Sequence, residues 1–203
     1  TSPARPGRPV SSNVDMALHT SIEAVVHESI LRFWFKEITP AQWWKVDAEF
    51  DQIVLNRFSA LYGQAIQSEL FLWRRSPTGR LAEIIILDQF SRNMFRGTKL
   101  AFAADPLALA LAQEAVATGD DLKLSVEERV FVYMPYMHSE SRLIHGVAER
   151  LFKENGPESN YEFELRHKAI IDRFGRYPHR NEILGRESTE EEVAFLAQPG
   201  SRF

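Results

Sequence analysis

The chain has 203 residues, with 24 Lys or Arg against 28 Asp or Glu; a net charge of −4 argues against a protein built chiefly to coat nucleic acid. It has no cysteine, which excludes a disulfide framework, a thiolate nucleophile, a cysteine-ligated zinc and an iron–sulfur cluster. At roughly 100–200 residues per domain one domain is expected, and aliphatic runs such as Ile84–Leu87 and Leu107–Ala112 fall far short of the roughly 20 residues of a membrane span. A soluble, cytoplasmic protein is the expectation.

Residues 1–19, rich in Pro, Ser and Thr and with no continuous apolar segment, predict a disordered or extended tail ahead of a single domain over 20–203. From residue 20 apolar residues recur at three- and four-residue steps: Ile22, Val25, Val26, Ile30, Phe33 and Trp34 form one stripe. Helix starts follow from capping chemistry. Thr39-Pro40-Ala41-Gln42 puts Thr at the N-cap, Pro at the first helical position and Gln two residues later. Ser125–Glu128, Ser159–Glu162 and Ser188–Glu191 read as capping boxes, and Asp105-Pro106 as a further N-cap. These signals predict helices over about 20–37, 40–70, 79–96, 105–118, 126–138, 140–154, 160–174 and 189–197, the second bending near Gly63. The β-branched run Leu81–Leu87 competes as a strand, but no second strand of similar quality exists to pair with it, so a buried helix is predicted. The fold class is all-α, with about eight helices and no repeat legible in the sequence.

No dinucleotide fingerprint, phosphate-binding loop, nucleophile elbow or paired-histidine zinc helix is present. Three polar clusters stand on apolar ground instead. In the first, Asp88, Arg92 and Arg96 fall at i, i+4 and i+8 with Asn93 beside them: either a charged stripe that keeps a helix end hydrated or a carboxylate–guanidinium couple at a cleft. In the second, Pro135 should kink or end its helix, beyond which His138, Ser139 and Glu140 could move protons; Ser139 reads better as a cap. The third, residues 173–186, packs Arg173, Arg176, Arg180 and Arg186 with His179 and Asn181 among Phe, Tyr, Pro and Gly. Cations so crowded call for an anion to offset them, from internal carboxylates or from a ligand. No metal is expected: the His and acid spacing carries no ligand pattern, and the arginines disfavour a dication.

At these residues the chain resembles a bacterial domain-of-unknown-function family, number 924. The runs over 81–112, 128–140 and 170–196, with FWF…PAQWWKVDAEFD…RF over 33–58, carry the resemblance across about residues 28–203. It implies one domain, a right-handed superhelical, tetratricopeptide-like helical array, and no particular reaction or cofactor. The polar residues matching the family's pattern are Asp88, Arg92, Asn93, Arg96, His138, Ser139, Glu140, Arg173, Arg176, His179, Arg180, Asn181 and Arg186.

The resulting expectation is a helical domain whose cleft binds an anionic small molecule or a peptide carboxylate. Arg92, Arg96, Arg176 and Arg180 would clamp the anion, with Asp88 orienting Arg92 and with Asn93, Arg173 and Asn181 also in the binding set. His138, Glu140 and His179 are the candidates for proton transfer, and Trp43, Trp44 or Tyr136 could stack on an organic part. The alternative is a peptide-interaction module using a long open groove. No nucleic acid, membrane or cofactor is expected as a partner.

Overall fold

The computed structural model describes residues 13–203, and among them every regular element is helical. Helix α1 (Asn13–Arg32) begins at Asn13 rather than at residue 20, so part of the expected tail is helical; residues 1–12 lie outside the described residues. The chain continues through a π-helical turn at Phe33–Glu37, α2 (Pro40–Trp44), α3 (Ala48–Ile66) and a 3₁₀ turn at Phe71–Arg75. Then come α4 (Pro77–Ile85), a second π-helical turn at Ile86–Phe90, α5 (Ser91–Met94), α6 (Leu100–Ala103) and α7 (Asp105–Ala117). Helices α8 (Val126–Met137), α9 (Arg142–Asn155), α10 (Glu158–Phe174), α11 (Asn181–Leu184) and α12 (Glu190–Leu196) complete the chain.

The capping boxes at Thr39–Gln42 and Ser125–Glu128 form as read. The last box is Thr189–Glu192, one residue later than predicted, and α10 starts at Glu158 behind Pro157 without using Ser159. Asp105 caps nothing: it is the first residue of α7, and its carboxylate pairs with Arg92 instead. The long second helix breaks at Lys45–Asp47, where Asp47 accepts from the Glu49 and Phe50 amides, and Gly63 lies inside α3. Helix α8 ends at Met137, two residues past Pro135, so no continuous helix runs into α9.

Aromatic bulk fills the core. Phe90 meets Phe58 at 4.7 Å and Trp34 at 5.7 Å between ring centres, and Trp34 meets Phe131 at 5.5 Å. Leu81 through Leu87 are without solvent exposure, so this run is the buried helix its isolation implied. The stripe on α1 is buried only in its second half: Ile30, Phe33 and Trp34 are in the core, while Ile22 and Val25 stay exposed. Leu100–Ala117 is long and apolar enough by composition to cross a membrane. Yet Asp105 inside it is ion-paired, and Ala108, Leu111, Ala112 and Ala115 are buried. A smaller apolar cluster, Ile170, Ile171 and Tyr177 against Phe174 and Phe195, seats the arginine-rich segment on α10.

Candidate functional site

The π-helical turn at Ile86–Phe90 and the end of α8 meet at one ion-pair centre. Asp88, fully buried in that turn, lies 2.7 Å from Nδ1 of His138, the residue that caps α8. The other Asp88 oxygen accepts from Gln89 at 2.9 Å, and Arg92 approaches Oδ1 at 3.3 Å. Arg92 turns its fork to Asp105, with bonds of 2.7 and 2.9 Å, so a carboxylate thirteen residues away completes the guanidinium's pairing.

Burial works against charge on Asp88, but the His138 ring, Arg92 and Gln89 outweigh it and hold the carboxyl below its ordinary range. Burial and then Arg92 press His138 below the ordinary histidine range, against the opposing pull of Asp88. An ionised Asp88 beside a neutral ring requires the hydrogen on Nδ1, which leaves Nε2 with its lone pair and no hydrogen bond to the protein. That is the tautomer of a base held in place by a carboxylate.

His138 lines a pocket of about 370 Å³ between α6, α7, the α8–α9 connection and α11. Its polar walls are Lys99, Asp105, Ser139, Glu140 and Arg180, and Phe102, Pro106, Leu109, Pro135 and Leu184 supply apolar surface. Arg180 is 6% exposed and lies between two rings, its guanidinium carbon 4.6 Å from the Phe102 centre and 4.7 Å from that of Tyr177. It donates to the His138 carbonyl at 2.9 Å; its nearest carboxylate, Asp105, stands 3.8 Å away and already serves Arg92, and its buried Nε has no hydrogen-bond partner. Burial and the Arg92 cation both depress its pKa.

Most of the other expected site residues go elsewhere. Arg96 lies beyond the end of α5, so the i, i+4, i+8 stripe never forms; Arg96 pairs with Asp51 of α3 at 2.6 Å, and Asn93 donates to the same carboxylate. Arg173 pairs with Glu191, and Arg176 forks onto Glu192 at 2.7 and 2.9 Å, both on α12. The four arginines read as one clamp therefore disperse, leaving Arg180 at the pocket and Arg92 behind it. Asn181 is buried under the Arg186 and Glu192 contacts. Glu140 lines the pocket, but the Arg186 fork and the Tyr177 amide occupy it. Despite burial, Arg186 and Tyr177 hold Glu140 ionised below the usual carboxylate range, which suits a fixed anion better than a proton donor. His179 does not line the pocket; burial and then Arg180 push it down to about 4. Trp43 and Trp44 pack on Phe131 and Tyr136 is buried, so Phe102 is the pocket's aromatic wall.

Sequence reading missed Phe102 and Lys99, and took Asp105 for a cap. A carboxylate ahead of Pro106 has the same local signature whether it caps a helix or reaches a distant arginine. Among the described residues no cluster of His, Asp and Glu has the makings of a metal site.

A family model described as bacterial protein of unknown function (DUF924) matches residues 30–200. The solved structure of a protein of unknown function from Agrobacterium tumefaciens is 39% identical, with a TM-score of 0.82, covering 86% of this chain and 98% of that one. No curated protein matches the sequence. On the span of that match the chain belongs to the DUF924 family of bacterial proteins of unknown function.

Proposed function

We propose that the pocket binds a small molecule carrying one anionic group on an apolar body, and that His138 exchanges a proton with it. The observation that supports this is Arg180: a buried cation at the pocket wall with one hydrogen bond to a carbonyl and only a long approach to an already paired carboxylate. An incoming carboxylate or phosphate would supply the missing charge. The pocket volume of about 370 Å³ falls in the range of small-molecule sites rather than of a long peptide groove. Phe102, Leu109 and Leu184 would take the apolar part, and the carboxyl groups of Asp105 and Glu140 would turn away a second negative group. In the same reading α8, α9 and α10, joined by short connections, belong to a tetratricopeptide-like superhelix that presents this pocket.

Thermal melts with phosphate, citrate, hexanoate and a short acidic peptide test the reading. A bound anion stabilises the wild type by about 2.7 kcal/mol at a hundredfold excess over Kd, and Arg180→Ala loses that response. Hexanoate acting at lower concentration than phosphate supports the apolar body; a response to the peptide alone would favour the interaction-module reading. A wild type indifferent to all four overturns anion binding here.

A further inference from the structure

The end of α8 is held unusually well. The carbonyls of Met137, His138 and Ser139 accept in turn from the Tyr177 hydroxyl, from Arg180 and from Nε2 of His145, each a side chain from outside the helix. Helix-end carbonyls lack partners within the helix, and here three successive ones are bonded around the residue that carries the pocket's imidazole.

His145 is itself fixed from behind. Its ring has no solvent exposure, and Nδ1 lies 2.6 Å from Oε1 of Glu164, which is equally buried on α10. The Tyr177 hydroxyl gives its hydrogen to Met137, so at 3.1 Å from Nε2 it can only accept; the Ser139 carbonyl, at 2.7 Å, can only accept too. Nε2 must therefore carry a hydrogen. One further proton has to lie between Nδ1 and Oε1, since a bare Nδ1 facing a carboxylate in a water-free place would be repulsive. Burial pushes the Glu164 carboxyl up, and its second oxygen has no hydrogen-bond partner, both in keeping with a neutral acid donating to Nδ1.

We propose that Glu164 is a positioning residue for His138: by placing a proton against Nδ1 of His145 it keeps Nε2 a donor to the Ser139 carbonyl, and so holds the backbone beside His138 and the direction of its ring. The proposal rests on the reading of His138 as the proton-exchanging group of the pocket. The charged and titratable groups that face His138 are Asp88, Arg92, Asp105, Arg180 and, from α10, His167. A substitution at Glu164 leaves all five in place.

The test uses the full chain with histidines labelled in ¹⁵N. In the wild type, Nε2 of His145 carries an attached hydrogen; an unprotonated Nε2 overturns the proposal. In folded Glu164→Leu, the His138 titration midpoint moves away from its wild-type value, and its Nδ1 hydrogen, bonded to Asp88, exchanges faster. Glu164→Gln, whose amide can donate to Nδ1, keeps both at wild-type values. A Glu164→Leu protein that is less stable but unchanged in the His138 midpoint and Nδ1 exchange overturns the proposal, because the pair would then be scaffold only. Should that variant not fold, the wild-type measurement decides. No arm uses a ligand, so a protein that shifts as expected but ignores every anion would remove the binding reading and leave the positioning role standing.

Discussion

Replacing Arg176 by Ala separates scaffold from site within the arginine-rich segment. Arg176 forks onto Glu192, whose side chain is 3% exposed and also accepts from Asn181 and from the Thr189 amide. The Arg176 bonds come first among the causes that bring this carboxyl to about 2 from an ordinary 4.5, with burial opposing and the Thr189 and Asn181 bonds helping. Taken whole, that depression is worth about 3 kcal/mol of folding stability at neutral pH. The Arg176 side chain is 29% exposed, and solvent screening reduces the expected loss in Arg176→Ala to about 1–2 kcal/mol. Because the folded-state value lies below the unfolded one, the stabilisation is complete above about pH 5 and disappears as pH falls toward 2. Urea unfolding followed by circular dichroism at pH 7, 4 and 2.5, at fixed ionic strength, should show the gap between wild type and variant shrinking with acidity. Equal stability at pH 7, or a gap that stays constant with pH, would refute the assignment. Since Arg176 does not line the pocket, the variant should keep any thermal response to anions.

Asp88→Asn should lower the His138 titration midpoint below that of the wild type, because the carboxylate that raises it is gone; NMR of the ring reads this directly, and an unchanged midpoint would break the coupling described here. The weakened bonds to His138 and Arg92 in a water-free place should cost about 1–3 kcal/mol on urea unfolding. Gly79→Ala should be far worse than its chemistry suggests, by about 2–4 kcal/mol, since the new Cβ would stand 2.1 Å from the Trp73 carbonyl oxygen. Gly63→Ala, inside α3 with open space around it, should raise stability by about 0.5–1 kcal/mol. Differential scanning calorimetry should rank the two on opposite sides of the wild type.

What could be read in the sequence was what local chemistry specifies. Thr39 and Ser125 start helices because a hydroxyl and a glutamine or glutamate three residues on satisfy orphan amides, and nothing distant alters that. Leu81–Leu87 could be assigned to a helix by the lack of a partner strand. The three clusters were also visible as polar residues on apolar ground. Their partners were not. Asp88 finds His138 fifty residues on, Arg96 finds Asp51 forty-five residues back, and Glu192 takes Arg176 from the bend that follows α10. A guanidinium is equally suited to each carboxylate in the chain, so only packing decides which it meets. Ser188 and Thr189 failed as a local distinction for the same kind of reason: both start an S/T-x-x-E pattern, and the seating of α12 on Arg176 selects the second.

The wide turn at Ile86–Phe90 gives the helix one more residue than regular α-geometry would hold, and Asp88 sits inside it. Because the extra residue is taken up within a single turn, the buried run before it and the polar run after it keep the same angular phase. Deleting Gln89 would let the helix close with ordinary hydrogen bonds and leave Arg92 facing Asp105 and Asn93 facing Asp51. Asp88 would lose both its Gln89 partner and the widened turn that presents it to His138, so chain length at this point specifies the approach of one carboxylate to one imidazole.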